Sequence, residues 1–439
     1  MPRRGRHRLL LCLGLAWLAG GGLAWGAAPM PASALWPPPL AEPTAHDRVL
    51  IIAPHCDDEV LATGGLIQHA LAAGAQLQVV ILTNGDGFRS AAQRLAGRKR
   101  VSPAEFIGLG LRRQRESLAA LALLGVSARQ VIFLGYPDAG LERMWVENWA
   151  LDHPYTSRPT GQHASPYPNS FRRDAPYAGR AVVDDLKTIL ARFRPTLLVL
   201  PHPGDRHPDH GAAYAFATAA VYELGWQTQV RTLCYLLHKA AWSEPPGPHD
   251  GPILAPPDRT DAWSALSLTP SQLAGLRQAG RCYRTQLAVL LPFMRRFLVP
   301  KQFFAAVPWR ELGSSISGAP SITAAFDTAY PSAGPRVKTL RAARDGAHLR
   351  LSLELTAPLG TGSSCRVYLH PLTPARVEAP QQFVLYPVRP ADGLRVTAKG
   401  LLLEALLPCE KGAAGVILAA DVRTPDQRAR TRWIVLVGH

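Results

Sequence analysis

Two short stretches carry side chains whose types and spacing can do chemistry. The first is Pro54-His55-Cys56-Asp57-Asp58-Glu59, and the second is His207-Pro208-Asp209-His210, which follows His202 and Asp205. Histidine nitrogen and carboxylate oxygen together suit zinc or another divalent transition metal. Two His and one Asp leave a coordination position open, as a hydrolytic site needs and a closed structural site does not. A metal so held lowers the pKa of water towards neutrality. A further carboxylate can then act as general base, and a protonated His can stabilise an oxyanion and protonate a leaving amine. One more Asp would orient that His. Taken singly, each stretch has a plainer reading, Asp-Asp-Glu as a helix N-cap and dipole partner and His-Pro-Asp-His as a turn. Both at strand ends of one domain point to a site.

The elements around them alternate. Arg48 to Ala53 (RVLIIA) is a continuous apolar run, the pattern of a buried parallel strand. Val60 to Ala73 reads as a helix stopped by Gly74, Gln76 to Leu82 as a strand, and Arg112 to Leu124 as a helix stopped by Gly125. Strands at Gln130 to Leu134, Thr196 to Leu200 and Val230 to His238 alternate with helices at Ala181 to Phe193 and Asp209 to Leu224. The order predicts an α/β fold, a Rossmann-like doubly wound parallel sheet. Ligands of such sheets lie beyond the carboxyl ends of the strands, where both motifs fall.

Two long loops interrupt the rhythm. Asn84 to Leu111 carries Arg89, Arg94, Arg98, Lys99 and Arg100, which suggests either an anionic substrate or a solvated loop. Glu142 to Gly179 holds Trp145, Trp149, Tyr155, Tyr167, Phe171 and Tyr177, and is expected to form an aromatic lid suited to sugar rings, with plain packing the other reading. Pro270 to Phe304 reads as one or two closing helices. Beyond it, evenly spaced strand-like segments such as HLRLSLEL and CRVYLH predict a smaller C-terminal all-β sandwich.

With these residues in view, the sequence resembles the PIG-L/LmbE family of metal-dependent N-acetylglucosamine deacetylases. The family's (A/P)-H-P-D-D-E is similar to Pro54–Glu59, with Cys56 where Pro is usual, and its H-x-D-H is matched by His207–His210. Arg113-Gln114-Arg115-Glu116 resembles its R-x-x-E helix, and Leu134-Gly135-Tyr136-Pro137-Asp138 the following strand and loop. The resemblance implies His55, Asp58 and His210 as Zn2+ ligands, Asp57 as general base, His207 as acid and oxyanion stabiliser, and Asp209 as the group orienting it. It implies Arg113 and Asp138 as substrate contacts. The expected activity is removal of the N-acetyl group from an N-acetylglucosamine-type sugar or glycan. Hydrolysis of another N-acyl or amide substrate, and glycan binding without turnover, are the rival readings.

The chain has 439 residues, 47% of them hydrophobic and 18% charged, which excludes a wholly disordered protein. The division expected is 1–34 as signal peptide or membrane anchor, 35–45 as linker, 46–313 as the deacetylase domain and 314–439 as the β-sandwich. The formal charge of +16 comes with scattered arginines and no nucleic-acid motif, so no nucleic-acid partner is expected. Arg3, Arg4, Arg6 and Arg8 precede the uncharged run Leu9 to Ala28, the order of an export signal. This predicts a periplasmic or extracellular protein, with contact to a membrane only if that segment stays as an anchor. Of the six cysteines, Cys12 would leave with a cleaved signal, and Cys365 with Cys409 is the one pairing worth testing.

Overall fold

The structure, a computed structural model, describes residues 36–438 apart from 239–252, 254, 258, 260, 320–321, 324–333, 375, 388–393, 411 and 427. The expected signal or anchor at 1–34 lies outside the described residues. Among the described residues no helix is long and apolar enough to cross a membrane.

Strands β1 (Arg48–Ala53), β2 (Gln76–Thr83), β3 (Val131–Tyr136), β4 (Leu197–Pro201) and β5 (Arg231–Tyr235) pair in parallel. Their order is β3-β2-β1-β4-β5, and β7 (Lys301–Ala306) and then β6 (Ala262–Ser267) extend the β5 edge in antiparallel fashion. Ile51 of β1 faces Val79 on one side and Val199 on the other. Strand order reverses between β1 and β4, so the crevice for a ligand opens there. Both chemical motifs leave from the carboxyl ends of these two strands.

Helices α1 (Asp58–Ala72), α2 (Arg89–Ala96), α3 (Pro103–Leu123), α4 (Leu141–Val146), α5 (Gly179–Phe193), α6 (Pro208–Glu223), α7 (Pro270–Gly280) and α8 (Arg284–Arg295) flank the sheet. The strand period of two splits β1 between two cores. Val49 and Ile51 pack with Leu61, Leu121 and Leu276, while Leu50 and Ile52 pack with Met144, Leu186 and Phe216. Two-sided burial is why RVLIIA is apolar throughout.

The two long loops differ from expectation. The first contains α2 and the opening turns of α3, which starts nine residues earlier than the apolar pattern suggests. Ser102 and Glu105 form a capping box and Pro103 sits in the first turn, so local capping sets this start. The second is no lid. Trp145, Tyr167 and Tyr177 are buried, and none of the loop's aromatics lines the cleft bordered by His55, Asp57 and His207. Trp145 stacks on His370 with ring centroids 3.9 Å apart and meets Trp433 edge-on at 5.7 Å. Trp145 and Trp149 pack against the C-terminal region, while the Tyr167 hydroxyl donates to Asp86 and Tyr177 packs near Tyr136.

Those strands are β8 (Arg310–Glu311), β9 (Ile322–Thr323), β10 (Val337–Asp345), β11 (His348–Leu355), β12 (Ser364–Thr373), β13 (Arg376–Val377), β14 (Gln381–Tyr386), β15 (Arg395–Lys399), β16 (Leu402–Pro408), β17 (Gly415–Arg423), β18 (Arg428–Arg430) and β19 (Ile434–Val437). One sheet runs β15-β16-β11-β10-β9, and the other β13-β12-β17-β19-β8, with β14 beside β12 and β18 beside β17. They face each other across a core that includes Leu351, Leu353, Val367 and Leu418, a β-sandwich. Strand β17 is buried on both faces: Val416, Leu418 and Ala420 point into the sandwich, while Ile417 and Ala419 join the core built on α4 and α6. Cys56, Cys234, Cys282, Cys365 and Cys409 are all free thiols, so the Cys365–Cys409 pair does not form.

Candidate active site

The first motif is a strained turn between β1 and α1. Asp57 sits at φ +124°, a region that costs a non-glycine residue on the order of 1–3 kcal/mol. Two hydrogen bonds hold it. The Asp57 amide donates to Glu59 Oε2 at 2.9 Å, and Arg113 Nη2 donates to the Cys56 carbonyl at 2.6 Å. Glu59 is itself fixed, because the hydroxyls of Ser117 and Tyr283 each donate to its Oε1 at 2.6 Å. Arg113 also donates to the Gly85 carbonyl at 2.9 Å, and a Cβ at Gly85 (φ +62°) would collide with the guanidinium. Although Asp57 occupies the N-cap position of α1, its side chain makes no capping bond. Its carboxylate lines the cleft instead, with Arg113 Nη2 3.5 Å from Oδ1.

The second motif starts α6. Pro208 takes the first helical position and His207 the N-cap, where His207 Nδ1 accepts the Asp209 amide at 3.2 Å. An accepting Nδ1 puts the hydrogen of the neutral ring on Nε2. Asp205 fixes the approach to the helix. Its carboxylate accepts the amides of His207 at 2.9 Å, Leu237 at 3.0 Å and His238 at 3.1 Å.

The motifs meet at Asp58. Its Oδ2 lies 3.1 Å from His55 Nδ1 and 3.2 Å from His210 Nε2. Both ring nitrogens of His210 are buried without a hydrogen bond, though each has a carboxylate oxygen within 3.2 Å. Orphaned buried nitrogens facing carboxylate oxygen fit a cation, and one carboxylate with two imidazoles is a donor set zinc accepts. Ligand atoms of His55, His207 and His210, of Asp58, His210 and His238, and of His55, Asp138 and Asp209 also fall within 4.8 Å of one another.

Asp209 departs from the expected arrangement. Its carboxylate does not bond the His207 ring. Oδ2 lies 3.3 Å from His55 Nε2, and the oxygens accept the amides of Ala139 at 2.7 Å and Leu141 at 3.0 Å. The reason is helical geometry: the side chain of the second residue of α6 points towards the loop after β3, while His207 caps the helix from outside. Asp138 reaches the same imidazole, with Oδ1 3.3 Å from His55 Nε2, and lines the cleft together with Arg113. Cys56 is buried, and burial pushes its thiol up, away from the thiolate a metal would need. His202 turns from the site to Asp261, at 3.2 Å, and stacks on Trp263. Arg89 lies over the Phe106 ring and Arg98 pairs with Glu105, so the basic segment contributes Phe88 but no arginine to the cleft.

The sequence reads His238, like His202, as packing or as support behind the ligands, and passes over other cleft residues. His238, just beyond β5, stands 4.7 Å from the His210 ring and 5.2 Å from the His207 ring. Gln286, Leu290 and Phe293 of α8 form the opposite wall. No motif marks α8. The signal that could find it is its amphipathic pattern in a segment otherwise read only as closing the domain.

Charge is strongly organised here. Burial, then the neighbouring Asp58 and Glu59, push Asp57 up to about 8 against the pull of Arg113. Burial works to raise Asp58 too, but His210 and His55 hold it well below the carboxylate range. For His210 burial is overcome by Asp205 and Asp58, which lift it to about 9. Burial, reinforced by His55, drives His207 down to about 3. Perturbation of this size marks functional sites; the His207 ring is kept neutral, and a cation beside Asp58 would favour the ionised form of Asp57. The cleft lined by Asp57, Asp58 and His207 has a volume of about 330 Å³.

A family profile described as PIG-L: GlcNAc-PI de-N-acetylase matches residues 50–221. The chain is 34% identical over 182 residues to a 1D-myo-inositol 2-acetamido-2-deoxy-alpha-D-glucopyranoside deacetylase of Mycobacterium sp. (strain KMS), covering 41% of this chain and 52% of that protein. It thus spans about half the length of that relative. The protein of the same name from Mycobacteroides abscessus is 30% identical over 255 residues, covering 55% of this chain and 82% of that one. Among solved structures, N,N'-diacetylchitobiose deacetylase from Pyrococcus horikoshii aligns over 58% of this chain and 79% of its own, with 20% identity and a TM-score of 0.36. Two motifs meeting at Asp58, a profile match that contains both, and a relative covered over most of its length carry one conclusion: the chain belongs to the PIG-L family.

Proposed function

We propose that the protein is a metal-dependent N-deacetylase that hydrolyses the acetamido group of an N-acetylglucosamine-type sugar or glycan. The observation that carries this reading is Asp58 Oδ2 standing between His55 Nδ1 and His210 Nε2, with Asp57 and His207 lining the same cleft. Residues His55, Asp58 and His210 would hold the cation. When bound, a divalent ion such as Zn2+ supplies Lewis-acid polarisation and a more acidic water. The strained turn holds Asp57 where its carboxylate can take the proton of the attacking water. His207, with its hydrogen on Nε2, donates to the oxygen of the acetamide as charge develops there. The C–N bond breaks, acetate leaves, and the amine takes up the proton that Asp57 received. Arg113 keeps the Asp57 turn closed, and Asp138 steadies the His55 ring from the cleft side. Asp58 is already held ionised, while His55 and His210 are held towards the protonated form and must shed their protons before a cation binds, so loading is expected to release protons.

The deacetylase names of the relatives support the substrate class. Export is part of the proposal too, supported by the basic start and the uncharged run Leu9 to Ala28. The test is a metal-reconstituted screen over N-acetylated mono- and oligosaccharides, read by the appearance of free amine. Amine release that needs metal is expected. Glycan binding without product would favour a non-catalytic role, and turnover confined to non-sugar amides would favour another N-acyl substrate.

A further inference from the structure

His207 borders more than the catalytic cleft. It also lines a second cavity, of about 200 Å³, on the side away from α8. Ala139 is shared by the two as well, so they adjoin at the catalytic histidine. The floor of the second cavity is Pro208 with Val146 of α4. Its far wall is not made by the α/β region: Arg423 at the end of β17 and Arg428 of β18 supply it.

These arginines are held firmly. Arg428 donates to Asp421 Oδ2 at 2.7 Å and to Glu142 Oε1 at 2.9 Å, bridging the sandwich to α4. Arg423 donates to the Tyr368 hydroxyl at 2.8 Å and to Asp421 at 3.2 Å. The sheet beneath is tied to the α/β region elsewhere by His370 Nε2 against the Trp145 carbonyl at 3.0 Å, and by the Val377 amide donating to Glu223 at 2.9 Å. On α6, Gly211, next to His210, lets Arg430 and Trp433 approach so closely that a Cβ there would touch both, at 3.3 and 3.4 Å. The sandwich therefore presents its arginines at a fixed distance from His207.

The chemistry of the lining indicates what fits. Guanidinium donors alternate with the acceptors Glu142 and Glu147, above an apolar floor. Each arginine already has a carboxylate partner, so an anion would have to displace one. An uncharged ring rich in hydroxyls needs no such exchange: its O–H groups donate to the carboxylates and accept from the arginines, and its C–H face lies on Val146 and Pro208. The volume is below the roughly 300–1,000 Å³ of drug-sized sites and suits a single ring.

We propose that this cavity is a second sugar subsite and that the C-terminal sandwich is part of the substrate site. The substrate is then at least a disaccharide, with its acetylated unit in the cleft and a neutral neighbouring sugar against Arg423 and Arg428. This deepens the deacetylase reading and rests on it.

The test compares N-acetylglucosamine with N,N'-diacetylchitobiose and its trimer, using the full chain reconstituted with zinc. A preference of about tenfold or more in kcat/KM for the oligosaccharides is expected, and Arg423→Ala should reduce that ratio to about one to three. Arg143→Ala, which removes an exposed arginine of the same cavity, should lower the ratio without risk to the fold. Binding of the same sugars to Asp57→Asn, followed by calorimetry, gives a readout free of turnover and should show the same dependence on Arg423. Equal handling of mono- and oligosaccharide, or an unchanged ratio in both arginine variants, overturns the subsite while leaving the deacetylase reading intact. Absence of turnover on every sugar, with binding that ignores the arginines, overturns both.

Discussion

Asp209 Oδ2 lies 3.3 Å from His55 Nε2, joining the segment after β4 to the segment after β1 across 154 residues. The contact makes Asp209 a positioning residue for the imidazole that opens the first motif. A carboxylate on the far nitrogen of a metal-ligating histidine fixes its tautomer and raises its basicity. Asp209→Asn is therefore expected to weaken zinc affinity by about 10–100-fold, measured by chelator competition. A variant that binds zinc normally and loses only kcat would return Asp209 to the role of orienting His207.

Asp57 is expected to separate catalysis from structure. Asp57→Asn keeps the turn's backbone contacts to Glu59 and Arg113, so metal content and thermal stability should be close to the parent's. The rate of amine release should fall by about 10²–10⁴-fold, the range for loss of a general base. Full activity in this variant would remove Asp57 from the mechanism.

Glu59 does its work behind the site. It accepts the Asp57 amide and two hydroxyls, those of Ser117 and Tyr283. Glu59→Ala leaves these donors without their acceptor and releases the φ +124° turn. The expected result is a stability loss of about 1–3 kcal/mol in denaturant titration, together with a fall in kcat. Restoration of most activity in Glu59→Gln would fit a positioning role, since the amide oxygen can still accept.

His370 should make stability depend on pH. It is fully buried against Trp145 and Trp149, and burial, outweighing contacts with the Glu378 and Trp145 carbonyls, holds the imidazole down at about 4 from 6.5. The unfolded chain binds the proton more readily, so the contribution is complete above pH 6.5 and disappears as pH falls through about 4. It is on the order of 3 kcal/mol. Urea titrations across this window should show a slope that His370→Phe flattens. Stability that rises on acidification would mean that the ring is folded as the imidazolium.

Trp145 tests the junction directly. It is buried between Phe216 of α6, His370 of β12 and Trp433, which precedes β19. Trp145→Ala is expected to cost about 3–5 kcal/mol and to lower a single cooperative transition. Two separate transitions, with only one shifted, would show that the sandwich unfolds independently.

The parallel sheet was legible in the chain because strands buried on both faces must be apolar throughout, as RVLIIA is, and because carboxyl ends of such strands are where ligands bind. The sandwich was legible for a similar reason, the period of two in segments such as HLRLSLEL. His55, Asp57, Asp58, His207 and His210 were legible because their types repeat a chemical pattern that needs no neighbour to recognise it. Partnership was not legible. Asp209 stands two residues after His207 in sequence, yet its carboxylate meets His55, since direction on a helix depends on turn geometry rather than on spacing. Composition suggested an aromatic lid, but Trp145 and Tyr177 are core, because what an aromatic face meets depends on which distant sheet arrives against it. Arg423 and Arg428 lie more than two hundred residues after His207 with no motif around them. Local sequence dictates which residues can do chemistry and which strands can be buried. Only the packing of remote elements decides which side chains touch, because contacts across a folded chain arise from surfaces that are far apart in sequence.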